Sequence, residues 1–266
     1  MNKKLLLVIL SALISGAFSA RAQTPVAPAP APAAPSPSWV LTPTFVSQYM
    51  LRGARLGGPS FEPSIEYDAG PLAIGLWSNF PIKDKVTGQS DPEFDVYGSY
   101  SFDLAKDLTL QPGFIYYAYP NAKKKDGFYK NTFEPSLALN YTIEGIKLTP
   151  KIYRDVVLRQ TLAEFSVAYA VPLKDLGTEI DFLGTYGTFK ATKALENSTP
   201  DTKNWGNYWL GGVTLPFQLN KDTKLSVGWA YTKGSDNFFK QGATPKFANT
   251  GAVGRGVATI SCAFSF

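Results

Sequence analysis

From residue 39 to residue 266 apolar side chains recur at every second position, not every third or fourth, and this period constrains the fold more than any other feature of the chain. In Phe94-Asp95-Val96-Tyr97-Gly98-Ser99-Tyr100-Ser101-Phe102 one face carries Phe94, Val96, Gly98, Tyr100 and Phe102, and the other carries Asp95, Tyr97, Ser99 and Ser101. Phe133, Pro135, Leu137, Leu139 and Tyr141 oppose Glu134, Ser136, Ala138 and Asn140 in the same way. Ile180, Phe182 and Tyr186 oppose Glu179, Asp181 and Thr185, and Leu225, Val227, Trp229 and Tyr231 oppose Lys224, Ser226, Gly228 and Ala230. One face of each segment seeks hydrocarbon or a core; the other tolerates water.

The pattern predicts strands near residues 39–51, 60–67, 72–82, 93–102, 108–119, 132–142, 146–155, 161–171, 178–189, 206–218, 223–232 and 257–266. Each is roughly ten residues long, the length a tilted strand needs to cross a bilayer. The connections sort by length. Turns at 68–71, 103–107, 143–145, 172–177 and 219–222 are short, and those at 83–92, 120–131, 190–205 and 233–256 are mostly longer. Short turns on one rim and long loops on the other, with an even strand count, predict an all-β, antiparallel, up-and-down transmembrane β-barrel of about twelve strands, ten or fourteen being the alternative counts. A soluble sandwich or lipocalin-like barrel shares the alternation, but its core faces inward and its loops need not sort by length. Pro135, Pro150 and Pro216 fall inside expected strands, where each removes a ladder donor and predicts a bulge or a rim position.

Ahead of the strands, Lys3 and Lys4 precede an apolar run from Leu5 to Phe18 and the small-residue site Ala20-Arg21-Ala22. This is the pattern of a secretory signal peptide over residues 1–22, cleaved between Ala22 and Gln23. Residues 23–38, nearly all Pro, Ala and Ser, favour extended polyproline II and read as a periplasmic tether, either in contact with the cell wall or a leader without a partner. Residues 39–266 then form one barrel domain. Loss of Lys3, Lys4 and Arg21 lowers the formal charge from +5 to +2, an excess too small to argue for nucleic acid as a partner.

The last segment, from Val257 to Phe266, places Ala258, Ile260, Cys262, Phe264 and Phe266 on one face. Phe264 and the terminal Phe266 resemble the strand that the outer-membrane barrel assembly machinery recognises, and the same strand is expected to close against the first. Cys262, the one cysteine, shares the lipid-facing parity and reads as an inert thiol.

The run Val46-Ser47-Gln48-Tyr49-Met50-Leu51-Arg52-Gly53, then Phe61 to Tyr67, Gly75-Leu76-Trp77-Ser78-Asn79 and Glu93-Phe94-Asp95-Val96-Tyr97-Gly98-Ser99-Tyr100, resembles the TorF-like family of outer-membrane porins. The likeness covers the first half of the barrel. It implies a diffusion channel in the bacterial outer membrane and supplies no ligand. Where that family carries a Ser-Asp-Tyr run, this chain has Ser47-Gln48-Tyr49.

Parity points a set of polar side chains at the lumen: Arg52, Glu62, Glu66, Trp77, Asn79, Asp95 and Glu134 in the first half, and Lys147, Lys151, Asp155, Glu164, Glu179, Asp181 and Lys224 in the second. A basic residue facing hydrocarbon at midplane costs about 2–4 kcal/mol, so these groups line water or pair with one another. Mixed charge of this kind forms either an aqueous eyelet or a salt-bridged plug. The long loops carry Lys123, Lys124, Lys125, Lys130, Lys193, Lys203, Lys240, Lys246 and Arg255, a basic rim suited to anionic solutes or to lipopolysaccharide phosphates, or simply solvated.

Catalytic residues are not expected. The chain has no histidine, which removes Ser-His-Asp chemistry and His-bearing metal sites, and neither a metal nor another cofactor is expected. Glu62 and Glu66 lie four residues apart on one strand, about 13 Å, too far for a carboxylate pair. Gly57-Gly58 lacks the lysine and helix of a phosphate loop. The expectation is therefore a passive channel for small hydrophilic solutes with a narrow, mixed-charge lumen. The alternative is a non-conducting structural or adhesion barrel.

Overall fold

A computed structural model describes residues 37–84, 91–122, 130–157, 159–190, 205–234 and 254–266. The expected signal segment, the cleavage site at Ala22 and Gln23 and almost all of the 23–38 tether lie outside these residues. So do Lys123, Lys124, Lys125, Lys193, Lys203, Lys240 and Lys246 of the long loops.

Twelve antiparallel strands close into a barrel. β1 runs over Ser38–Thr42 and Thr44–Val46, with Pro43 between, and β2 over Ser60–Phe61 and Ser64–Ala69. β3 is Leu72–Pro81, β4 is Glu93–Tyr100 continued by Phe102–Ala105, β5 is Leu108–Ala118 and β6 is Asn131–Ile143. β7 is Ile146–Asp155, β8 is Gln160–Leu173, β9 is Thr178–Lys190, β10 is Trp205–Asn220, β11 is Thr223–Gly234 and β12 is Arg255–Ser265. Among the described residues the sole helical element is a 3-10 turn at Lys174–Leu176.

Closure falls where the terminal segment predicts it. Val40 pairs with Ser265 and Leu41 with Phe264. Beyond them Trp39 and Phe266 exchange both backbone bonds, at 2.9 and 3.0 Å. The seam resumes at Thr44–Ser261 after a break at Pro43, and closure removes the open edge that an unclosed sheet would expose. The short turns are equally local in origin: Glu144 and Gly145 both adopt positive φ, 50° and 81°, the two-residue geometry that matches strand twist.

Side-chain parity holds around the wall. Outward positions are large and apolar, with Leu137, Ile152, Phe165, Phe182, Val227 and Ile260 all exposed. The interleaved positions Glu134, Ala138, Asn140, Lys151, Glu164, Asp181 and Ser226 are buried inside. Each of the three strand prolines is in register on one side, Pro135 opposite Phe114, Pro150 opposite Phe165 and Pro216 opposite Ser226, and has no ladder pair on the other. At Pro150, β6 and β7 pair at Ala138–Lys151 and again at Tyr141–Leu148, but not between. There the Thr149 hydroxyl donates to Asn140 Oδ1 at 3.1 Å, a side-chain link where the backbone donor is lost.

One expected strand is shorter than its periodicity. Residues 39–51 read as a single strand, but β1 ends at Val46. Tyr49–Leu51 instead pairs with Ala54–Gly57 to make a separate two-stranded hairpin. Alternation records which face a side chain takes, not which strand it pairs with, so the two cases look alike in sequence.

Candidate functional site

The hairpin does not stand out from the rim; its side chains reach across the inside of the barrel. On one side Tyr49 donates its hydroxyl to Glu93 Oε2 of β4 at 2.8 Å and packs against Trp77 of β3, ring centroids 5.7 Å apart. On the other side Gly234 at the end of β11 donates its backbone N–H to Gly53 O at 3.0 Å. A Cβ at residue 53 would lie 2.5 Å from Gly234 N and 2.6 Å from Tyr208 Cβ, and its φ is +77°, so only glycine fits.

The tip residue is Arg52, at φ 50°. Its guanidinium grips Glu134 of β6 with two bonds, Nη1 to Oε2 at 2.8 Å and Nη2 to Oε1 at 2.5 Å, the fork geometry that arginine and carboxylate share. Nε lies 3.8 Å from Glu164 of β8, and the cation stacks over the Tyr153 ring at 4.8 Å. Burial works against the charge on Arg52, and the Glu134 and Glu164 carboxylates beside it compensate the guanidinium. Lys151 Nζ lies 4.3 Å from the centroid of the same ring.

Tyrosines tie the carboxylates down. Tyr117 donates to Glu134 at 3.2 Å, Tyr119 to Glu93 at 2.9 Å, and both Tyr153 and Tyr208 to Glu164. Tyr208 has room because the facing residue across the ladder is Gly187, whose missing Cβ would strike the ring at 2.2 Å. A second, uncharged network spans neighbouring strands: Asn140 donates to Gln111 at 3.3 Å, and Gln111 to Ser99 at 3.3 Å.

Of the residues expected in the lumen, Glu62, Glu66, Trp77, Asn79, Asp95, Glu134, Lys151, Asp155, Glu164 and Asp181 are buried on the inner face. Lys147, Glu179 and Lys224 share that parity and are half-buried. Arg52 is also inside, but it arrives there on the hairpin rather than on a strand or at the rim. The structure gathers Arg52, Glu134, Lys151 and Glu164 into one cluster, whereas Glu179 and Lys224 lie toward the short-turn end. Glu93, Asp68 and the five tyrosines were not singled out by the sequence; Glu93 and Asp68 follow from the parity of Asp95 and Glu66, two residues away on the same strands. Among the described residues no three His, Cys, Asp or Glu side chains are placed to hold a metal ion.

A closed antiparallel barrel, apolar outside and ionisable within, has the fold of an outer-membrane porin. Two solved porins have that architecture. The NanC porin superposes with a TM-score of 0.53 at 10% identity over 85% of this chain and 98% of its own. The KdgM porin gives 0.51 at 11% identity over 85% and 99%. Identities this low establish the shared fold alone. Residues 33–153 match a family described as a bacterial protein of unknown function, Gcw_chp, a span that ends within β7. Comparison with curated protein sequences gives no match.

Proposed function

We propose that this chain is an outer-membrane channel through which small hydrophilic solutes diffuse passively, in the manner its resemblance to TorF-like porins implies. The observation that carries the reading is the inward hairpin: Arg52 fastened to Glu134 and Glu164 sets charged groups across the lumen, while Met50 of the same hairpin joins a buried apolar cluster with Val46 and Val257. The inner-face residues from Glu62 to Lys224 are the pore lining in this reading. Residues 1–22 export the chain, Phe264 and Phe266 present it to the barrel assembly machinery, and the lipid-facing belt meets membrane lipid and lipopolysaccharide. The 23–38 tether reaches toward the cell wall.

Purified protein in planar bilayers is expected to give stepwise current. Silence at all voltages and salt concentrations overturns the channel and leaves the non-conducting structural barrel, in which the same Arg52 cluster acts as a plug.

A further inference from the structure

We propose that the inner wall made by β2, β3 and β4 carries a binding station for small organic cations bearing ammonium or guanidinium groups; its role in choosing what permeates rests on the channel reading above.

The argument begins with register. Asn79 lies opposite Glu93 on β4. On its other side the pairings Phe61–Phe80 and Ser64–Trp77 bracket Glu62 and set it opposite Asn79. Glu62, Asn79 and Glu93 thus form one inward row across three strands, with exposures of 1%, 0% and 0%. The next row places Trp77 opposite Asp95. Directly opposed side chains have Cβ atoms about 4.5–5.5 Å apart, so each row is a continuous polar strip.

Three groups in these rows are unsatisfied. Neither Oδ1 nor Nδ2 of Asn79 has a hydrogen-bond partner, although the residue is fully buried. Trp77 Nε1 and Asp95 Oδ1 are in the same condition. A buried acceptor without a partner costs about 1–3 kcal/mol, which the protein recovers when a ligand N–H reaches Asn79 Oδ1 or Asp95 Oδ1; the Trp77 and Asn79 N–H groups, being donors, gain nothing from a cation. By contrast Glu93 has both oxygens held, by Tyr49 and Tyr119, which fixes its carboxylate in place while leaving further lone pairs to accept.

The chemistry of the strip defines its occupant. Carboxylates at Glu93 and Asp95 and the Asn79 carbonyl accept N–H bonds, and a charged donor makes those bonds shorter and stronger. The Tyr49 and Trp77 rings, tilted at 44° to one another, supply faces for a cation. Since the acids do not converge on one point as a metal ion needs, the strip suits an elongated organic cation. Rows two residues apart are separated by about 7 Å, within reach of a molecule with a cationic group at each end.

Agmatine is the probe. Titrated calorimetrically into the full-length mature chain in detergent at low salt, it is expected to bind saturably, whereas glutamate should not. The double variant Glu93→Gln with Asp95→Asn should weaken binding at least tenfold, and Asn79→Leu several-fold, in protein that keeps the gel mobility of a folded barrel. Absence of saturable binding to the unaltered protein, or an unchanged Kd in either folded variant, overturns the station; Asn79→Leu decides alone if the double variant does not fold. A protein that conducts without binding agmatine loses the station and keeps the channel, and one that binds agmatine without conducting loses the channel and keeps the station.

Discussion

Arg52→Ala is expected to raise the unitary conductance several-fold while the barrel stays folded. The hairpin is held at its far end by the bidentate grip on Glu134, the approach to Glu164 and the stacking on Tyr153. All three end at the guanidinium, so alanine removes them together. The Gly53–Gly234 backbone bond and the Tyr49–Glu93 bond remain, and neither bridges the span toward β6 and β8. Breaking a buried ion pair by deleting one partner costs about 3–5 kcal/mol in a dry interior. In a wetted lumen the carboxylates left behind rehydrate, and the loss falls on the hairpin rather than on the wall, whose ladder bonds do not involve Arg52.

Gly53→Val approaches the same end by another route, since its Cβ collides with Gly234 and its φ is unfavourable for valine. Unchanged single-channel conductance in both folded variants would show that the hairpin does not set the constriction. Glu134→Gln is the useful contrast: it weakens the grip without removing the bulk of Arg52, so its conductance should fall between the unaltered protein and Arg52→Ala.

The wall was legible in the sequence because a strand's two faces are written directly into alternate residues. Hydrophobic parity places Glu134, Lys151 and Glu164 on one surface, and the terminal run to Phe266 indicates its partner at the seam. The hairpin was not legible. Tyr49, Met50 and Leu51 are three consecutive apolar residues that read as the end of the first strand, yet their ladder partners are Gly57, Arg55 and Ala54. What turns them inward is long-range: the Tyr49 hydroxyl finds Glu93 across 44 residues, and Arg52 finds Glu134 across 82. The tyrosines were missed for a related reason. Tyr117, Tyr153 and Tyr208 count as apolar in a periodicity, but each uses its hydroxyl to hold a buried carboxylate, so an amphipathic ring can occupy the polar face as well as the lipid face.

Charge placed on the outer face tests the other half of the structure. Leu137, at the middle of β6 and 45% exposed, faces outward between Pro112 and Ile152. Leu137→Arg is expected to cost about 2–4 kcal/mol, read as a lower midpoint when the barrel is unfolded from lipid vesicles in guanidinium chloride. The arginine must either pull its charge toward a headgroup or carry water into the acyl region, and the midplane is where both are most expensive. Leu219, at the short-turn end of β10 and 59% exposed, provides the depth control: Leu219→Arg should cost about 0–1 kcal/mol, because the same side chain reaches the interface without strain. Equal costs at the two positions would mean that the apolar belt is not seated in a bilayer. In detergent micelles, which adapt to a protruding charge, the gap between the two variants should narrow, so the vesicle measurement specifically reports the thickness of hydrocarbon that the twelve strands cross.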